Sequence, residues 1–414
     1  MKAIHNDTKK VIRALLPFYL FTFLLLIYSC ADFDDATQGT QVTVQLAQPA
    51  DFISTADLSG KTITMTIGQQ RIEALTDANG IATFTNVVPD VYTFSTSWTL
   101  TGDEYRMATG SNEAVSGATV SGSLNSQLVK DAPTFTLQTN VSVNRDIVVG
   151  KVYYAGSRDN NNRAYDAGKY IELYNQSNDT VDVSGLYIGL IESESSPAYT
   201  LDELHSAFAD SVVLLKQIFR IPVDANFKVA PGGTVLIANS AVDHSSHDSY
   251  ESDLSGADFE AKDARGRTTN NPNVPALDLV YSTYSAISYM NLPQSGPVAL
   301  VLFRTDEDPS QWQRTYSYGK TRGNEFVECP VRFITDGFEA LRYRTTGIDV
   351  STKRLYNTID AGYTNINSTS GRNGEVVYRK TSKTENGHKV LIDTNNSTND
   401  FQVSTTIKPR QYDD

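Results

Sequence analysis

Lys169-Tyr170-Ile171-Glu172-Leu173-Tyr174-Asn175, then Asn178-Asp179, then Val181-Asp182-Val183-Ser184-Gly185-Leu186-Tyr187, is the stretch whose reading decides the fold. Side chains of a strand point alternately to its two faces, and the alternation here is that of a strand with one buried side. Glu172 has Ile171 and Leu173 on the opposite face and Tyr170 and Tyr174 beside it, which suits a structural hydrogen bond better than catalysis.

Strand signals continue on either side. Asp146 to Tyr154 reads as a fresh strand, and Asn140 to Asn144 as the connector that precedes it, so a second module is expected over 141–414. Val229 to Ala238 and Ser295 to Phe303 are two further apolar blocks, separated by some 56 residues from Asn239 to Gln294. Thr200-Leu201-Asp202-Glu203 offers a capping box, and Leu204, Ala207 and Phe208 extend it into a short helix, with a strand at about Ser211 to Leu215. Upstream, over 41–140, short alternating strands such as Val42 to Leu46 and Lys61 to Ile67 predict a first module. Asp77 and Asn79 are read as turn formers around Asn79-Gly80 rather than as cation ligands. The expected fold is mostly β, two tandem antiparallel sandwiches, the second carrying long loop insertions and a short helix.

Two family resemblances rest on these residues. Thr76 to Phe84 followed by Val88-Pro89-Asp90-Val91-Tyr92 resembles the carboxypeptidase regulatory-like (transthyretin-like) sandwich, whose members are spacers rather than catalysts. Lys169 to Tyr187 resembles the immunoglobulin-like lamin-tail domain, with Leu186 or Tyr187 about where that family has Trp; the long Asn239 to Gln294 insertion departs from it. The whole chain resembles an uncharacterised surface-lipoprotein family of the Bacteroidota.

The N-terminus sets the expected compartment. Lys2, Lys9, Lys10 and Arg13 precede an apolar run, Ala14 to Tyr28, that stops at Ser29-Cys30, the layout of a signal peptide over 1–29. Ile27-Tyr28-Ser29-Cys30 resembles the bacterial lipobox, which implies acylation of Cys30; Ala31-Asp32-Phe33-Asp34-Asp35, in an acidic tether over 30–40, resembles the signal that sends lipoproteins to the outer face of the outer membrane. Residues 1–29 carry those four cations against Asp7, so the rest of a chain of net charge −13 carries −16. That balance argues against nucleic acid as partner. Cys329 is then the only remaining thiol, so no intramolecular disulfide can form.

Functional side chains are few. Asp243, His244, His247 and Asp248 form the one His cluster and could bind Zn, Cu or Fe, though a hydrated loop explains them as well. Asp393 to Asp400 is a run of oxygen ligands without EF-hand spacing, and Arg372 and Arg379 are suited to pin such carboxylates. The nucleophile elbow, zincin helix, P-loop and dinucleotide fingerprints are missing from the sequence. No catalytic or cofactor-binding residue is assigned, and the expectation is a non-enzymatic surface lipoprotein. It would bind an extracellular ligand or assist a TonB-dependent transporter in nutrient uptake; an adhesive or structural role is the alternative, and a hydrolase with acids hidden in the long loops ranks behind both. The loops Asp243 to Pro275 and the Asp393 region are expected to form the ligand surface if they converge. Replacing Cys30 by Ala should move the protein from the membrane fraction to the soluble one, as read by fractionation of intact cells.

Overall fold

The computed structural model describes residues 39–68, 70–110, 117–143, 146–193, 199–317 and 319–412. Cys30, the leader and residues 30–38 of the acidic tether lie outside the described residues, and Thr40, expected in the tether, begins the first strand.

The first sandwich is built from β1 (Thr40–Ala47), β2 (Thr62–Ile67), β3 (Gln70–Leu75), β4 (Ile81–Val87), β5 (Asp90–Thr101), β6 (Gly117–Val129), β7 (Thr134–Gln138) and β8 (Asn140–Val143). They form a three-stranded sheet, β4-β1-β7, and a five-stranded one, β3-β2-β5-β6-β8. Val42, Val44 and Phe84 of one sheet meet Ile63, Met65 and Phe94 of the other in a single core. Asp77 does the turn work assigned to it: its carboxylate accepts from the N–H groups of Asn79 and Ile81 at 2.8 and 3.0 Å, and Gly80 takes φ +73°. Three features differ from the sequence reading. The β1–β7 pairing is parallel, and Asn140 to Val143, read as a connector, is the edge strand β8 bonded to β6. A helix, α1 (Gly102–Thr109), also interrupts the strands, closed by a capping box between Thr101 and Glu104.

The second sandwich takes β9 (Ile147–Tyr153), β10 (Tyr170–Asn175), β11 (Tyr187–Ile191), β12 (Val212–Arg220), β13 (Thr234–Ala238), β14 (Phe259–Glu260), β15 (Asp278–Ser282), β16 (Val298–Phe303), β17 (Arg314–Tyr316), β18 (Glu325–Pro330), β19 (Ile334–Ala340), β20 (Val376–Arg379), a hairpin β21 (Thr381–Glu385) and β22 (His388–Leu391), and β23 (Phe401–Ser404). One sheet runs β14-β13-β10-β9-β20-β23; the other runs β17-β18-β12-β11-β16-β19, with β15 beside β12. Between them lies a large apolar core that includes Ile171, Leu173, Ile188, Leu190, Leu300 and Phe338. The outer face of the second sheet carries another apolar layer, Leu214, Phe303 and Leu204 with Leu355, Tyr356 and Ile359, covered in part by helix α2 (Leu201–Phe208). Thr200 and Glu203 cap that helix as their spacing predicts.

Strand β10 departs from its one-sided pattern, since all six of its residues are buried. Glu172 sits opposite Lys151 of β9 and accepts a hydrogen bond from its Nζ at 2.7 Å, with both side chains wholly buried. The C-terminal segment covers this pair. The Arg410 N–H donates to Glu172 at 2.5 Å, and the Tyr412 ring lies 3.7 Å from the Lys151 ammonium.

A second buried charge joins the two sheets. Arg379 at the end of β20 donates from Nε to the Val149 carbonyl, from Nη1 to Asp393 and Asp400, and from Nη2 to both oxygens of Asp336 on β19, all at 3.0 to 3.2 Å. Asp400 belongs to a short helix, α3 (Ser397–Asp400). Burial pushes the carboxyls of Asp336 and Asp400 up to about 7 against the pull of Arg379, and the charge of Asp393 pushes the same way as burial. Groups raised in the folded state take up protons on folding, so their contribution is complete below about pH 4 and is lost as pH climbs through 7. Chemical unfolding midpoints should therefore fall between pH 5 and pH 8, and Asp393→Asn should flatten the fall; an unchanged slope would count against the account. Arg379→Met, which strands the three carboxylates, should cost about 3–5 kcal/mol in the same measurement.

Candidate functional site

The loops singled out in the sequence go to different places. Ser245 to Gly256 lines a concavity of about 460 Å³ together with Lys408, Pro409 and Arg410. Lys408 Nζ donates to the carbonyls of Ser249, Tyr250 and Glu251, so the C-terminal segment holds that loop down. The stretch Arg265 to Pro275 folds around buried Asp263, whose carboxylate accepts from the N–H groups of Arg265, Arg267 and Thr268. Asp393 belongs to a third region, at the junction of the two sandwiches.

The histidine cluster has structural work. His244 is buried; its Nδ1 meets the Tyr165 hydroxyl at 2.6 Å and its Nε2 the Ser240 carbonyl at 2.7 Å. A carbonyl can only accept, so Nε2 carries the proton and Nδ1 accepts from the tyrosine. Burial depresses the His244 pKa, which agrees with a neutral ring. Neither ring nitrogen of His244 is left for a metal. His247 stacks on Tyr165 with ring centroids 4.1 Å apart, Asp243 accepts from Ser245, and Asp248 accepts from the Tyr250 N–H. Among the described residues no group of three or more His, Cys, Asp or Glu is placed to hold a metal ion. Beneath the same loop, burial raises the pKa of Glu251, which accepts from Tyr153 and Ser157 at 2.9 and 2.6 Å. Nothing in the local sequence marks Glu251, because a buried acid and a solvated one look alike in a polar run.

Asp393 and Asp400 serve Arg379, so the oxygen-rich run is architecture. Arg372 is paired as well, but with Asp166 at 2.8 Å, 206 residues away in sequence, rather than with its sequence neighbours.

What remains is the junction. A cleft of about 700 Å³ opens between the ends of β5 and β6 with the start of α1 on one side, and the Gln176 to Asp179 turn, the β21–β22 hairpin and Ile392 to Thr394 on the other. Thr119 Oγ1 donates to the Asp393 carbonyl at 3.3 Å and Asn125 Nδ2 to the Ala361 carbonyl at 3.5 Å, tying the modules together beside it. Its walls combine the aliphatic side chains of Leu100, Val390, Leu391 and Ile392 with hydroxyls, amides and carboxylates: Thr99, Thr101, Ser177, Asn178, Ser382 and Thr394, with Glu104, Asp146, Asp179, Glu385 and Asp393 against Lys383. Lys383 is itself paired with Glu385 at 2.8 Å. Hydrogen bonds from the Thr101 N–H and hydroxyl hold Glu104 below the usual carboxylate range. Such a surface accepts more hydrogen bonds than it donates, which suits a ligand rich in hydroxyls or carrying positive charge.

Residues 230–408 match the profile of a family described as protein of unknown function (DUF4876). The chain is similar to the DUF4876 proteins. A crystal structure of a DUF4876 family protein from Bacteroides thetaiotaomicron superposes with a TM-score of 0.55 at 20% sequence identity, over 88% of this chain and 94% of that one. At that identity the likeness speaks for the fold, which the DUF4876 protein shares over both sandwiches. A search of curated proteins found no match.

Since both His244 nitrogens are occupied, adding Zn(II) or EDTA should leave the melting temperature unchanged. His244→Ala should cost about 1–3 kcal/mol by stranding the Tyr165 hydroxyl and the Ser240 carbonyl. Calorimetry checks both, and a metal-dependent upward shift would reinstate the metal site.

Proposed function

We propose that the chain is a non-enzymatic binding lipoprotein, anchored through Cys30 on the outer face of an outer membrane, that takes up an extracellular ligand and works beside a TonB-dependent transporter. The observation that carries the binding role is the cleft of about 700 Å³ to which both sandwiches contribute. Its size falls within the few hundred to about a thousand Å³ typical of small-ligand sites, and it lies at a domain junction, where such sites concentrate. Three features support the anchored location: the lipobox-like Ile27 to Cys30, the acidic residues after it, and the single remaining cysteine, Cys329, which is buried and unpaired.

The acidic, acceptor-rich lining favours a neutral polyol, such as an oligosaccharide, or a cationic solute over an anion. Ser382 is exposed on the lip of the cleft, and Trp at that position would fill the opening without touching either core. In a thermal-shift screen of neutral oligosaccharides and cationic solutes, hits are expected with the native chain and should be lost in Ser382→Trp with its own melting temperature unchanged. Deleting the gene should lower uptake of the same solutes by whole cells. Retained binding in the filled variant would remove the cleft from the proposal, and loss of attachment with normal uptake would replace binding by adhesion.

A further inference from the structure

The chain enters the first sandwich at a fixed point. Gly39 lies against Asn86 so closely that a Cβ on it would come within 2.5 Å of the Asn86 Cα. Thr40 pairs with Val87, and its hydroxyl accepts from the Ala132 N–H at 2.8 Å. Entry is therefore between the β4–β5 turn and the turn after β6.

That end of the sandwich carries aliphatic side chains with no cover. Val91 and Leu128 face each other across β5 and β6 and are 47% and 63% exposed; Val88, on the turn, is 52% exposed. Isolated exposed apolar residues are ordinary and need no explanation. Here three surround the one place from which the tether departs. From Cys30 to Thr40 a fully extended chain reaches at most about 35 Å, so an acylated Cys30 keeps this end near the bilayer.

We propose that the entry end of the first sandwich is a membrane-contact surface, with Val88, Val91 and Leu128 seated at the lipid headgroup boundary; the proposal rests on the reading of Cys30 as the acylation site. Asp90, Lys130 and Asp131 flank the three side chains and are exposed, which limits the contact to shallow depth, because charged groups stay in the hydrated layer. Orientation follows from the same strand. β5 starts at the contact surface with Asp90 and ends with Thr101 at the wall of the cleft, and 12 residues at about 3.3 Å each would hold the cleft roughly 35 Å above the lipid.

The test uses the full lipidated chain in vesicles of phosphatidylethanolamine and phosphatidylglycerol at about four to one. With Cys30 acylated and Cys329 buried, Leu128→Cys supplies the one reactive thiol for an environment-sensitive dye, and Met107→Cys, on α1 beyond the far end of β5 and 78% exposed, supplies the control. A blue-shifted emission at 128, with quenching by brominated acyl chains several-fold stronger than at 107, is the expected result. Equal quenching at the two positions, in protein that floats with the vesicles, would overturn the membrane-contact surface while leaving the anchor intact. Protein that fails to float would remove the anchor and the contact surface together.

Discussion

Burying a guanidinium is costly unless its donors are met, and the second sandwich is arranged so that those of Arg379 are. Its partners come from β9, β19, α3 and the loop that follows β22, so the two sheets, the last helix and the wall of the cleft share one charge centre. The ring of Phe401 lies 4.6 Å beneath it. Buried ion clusters of this kind add little net stability over an apolar substitute of similar shape, but they punish any pairing that leaves a member unmatched. In a sandwich of many similar strands, that penalty is what selects one register.

The same logic recurs around it. Lys353 donates to Glu339 and to the carbonyls of Asp360 and Gly362, and Glu339 accepts in turn from the Arg354 and Leu355 N–H groups. Asp360 accepts from the N–H and hydroxyl of Ser397, next to Asp400. A chain of buried charges thus runs from the outer layer of the second sheet, through β19, to the junction of the modules. Because Asp393 is both a partner of Arg379 and a wall of the cleft, the position of that wall is set from inside the protein rather than by the loop on which it sits. A site held in this way is preorganised, which lowers the ordering cost of binding.

Much of this was visible in the sequence where the signal was local. The Asn79-Gly80 turn, the Thr200 to Glu203 cap and the strand at Tyr170 each depend on residues within a few positions, and each formed, although that strand is buried on both faces rather than one. The pairing of Arg379 with Asp393 and Asp400, 14 and 21 residues on, was legible from the run of carboxylates itself. Thr101 and Glu104 had the same capping spacing as Thr200 and Glu203, but lay inside a long run of strand-like residues that concealed α1. Asp336, the Asp166 partner of Arg372 and the role of β8 were not legible, because each depends on which distant strands become neighbours. Burial of charge was the larger obstacle. Lys151, Glu172 and Glu251 are polar letters in the sequence and interior groups in the fold, and periodicity does not separate the two cases.

The cover over Lys151 and Glu172 bears on how the protein is made. Arg410 and Tyr412 close that pair from water, with Arg410 lying 238 residues after Glu172, and the Tyr412 hydroxyl fills the space a side chain at Gly150 would need. A polypeptide made N-terminus first presents β9 and β10 long before the segment that seals them. The second sandwich is then withheld from completion until that segment has emerged, and the clasp over its buried charges is carried far downstream of the strands it closes.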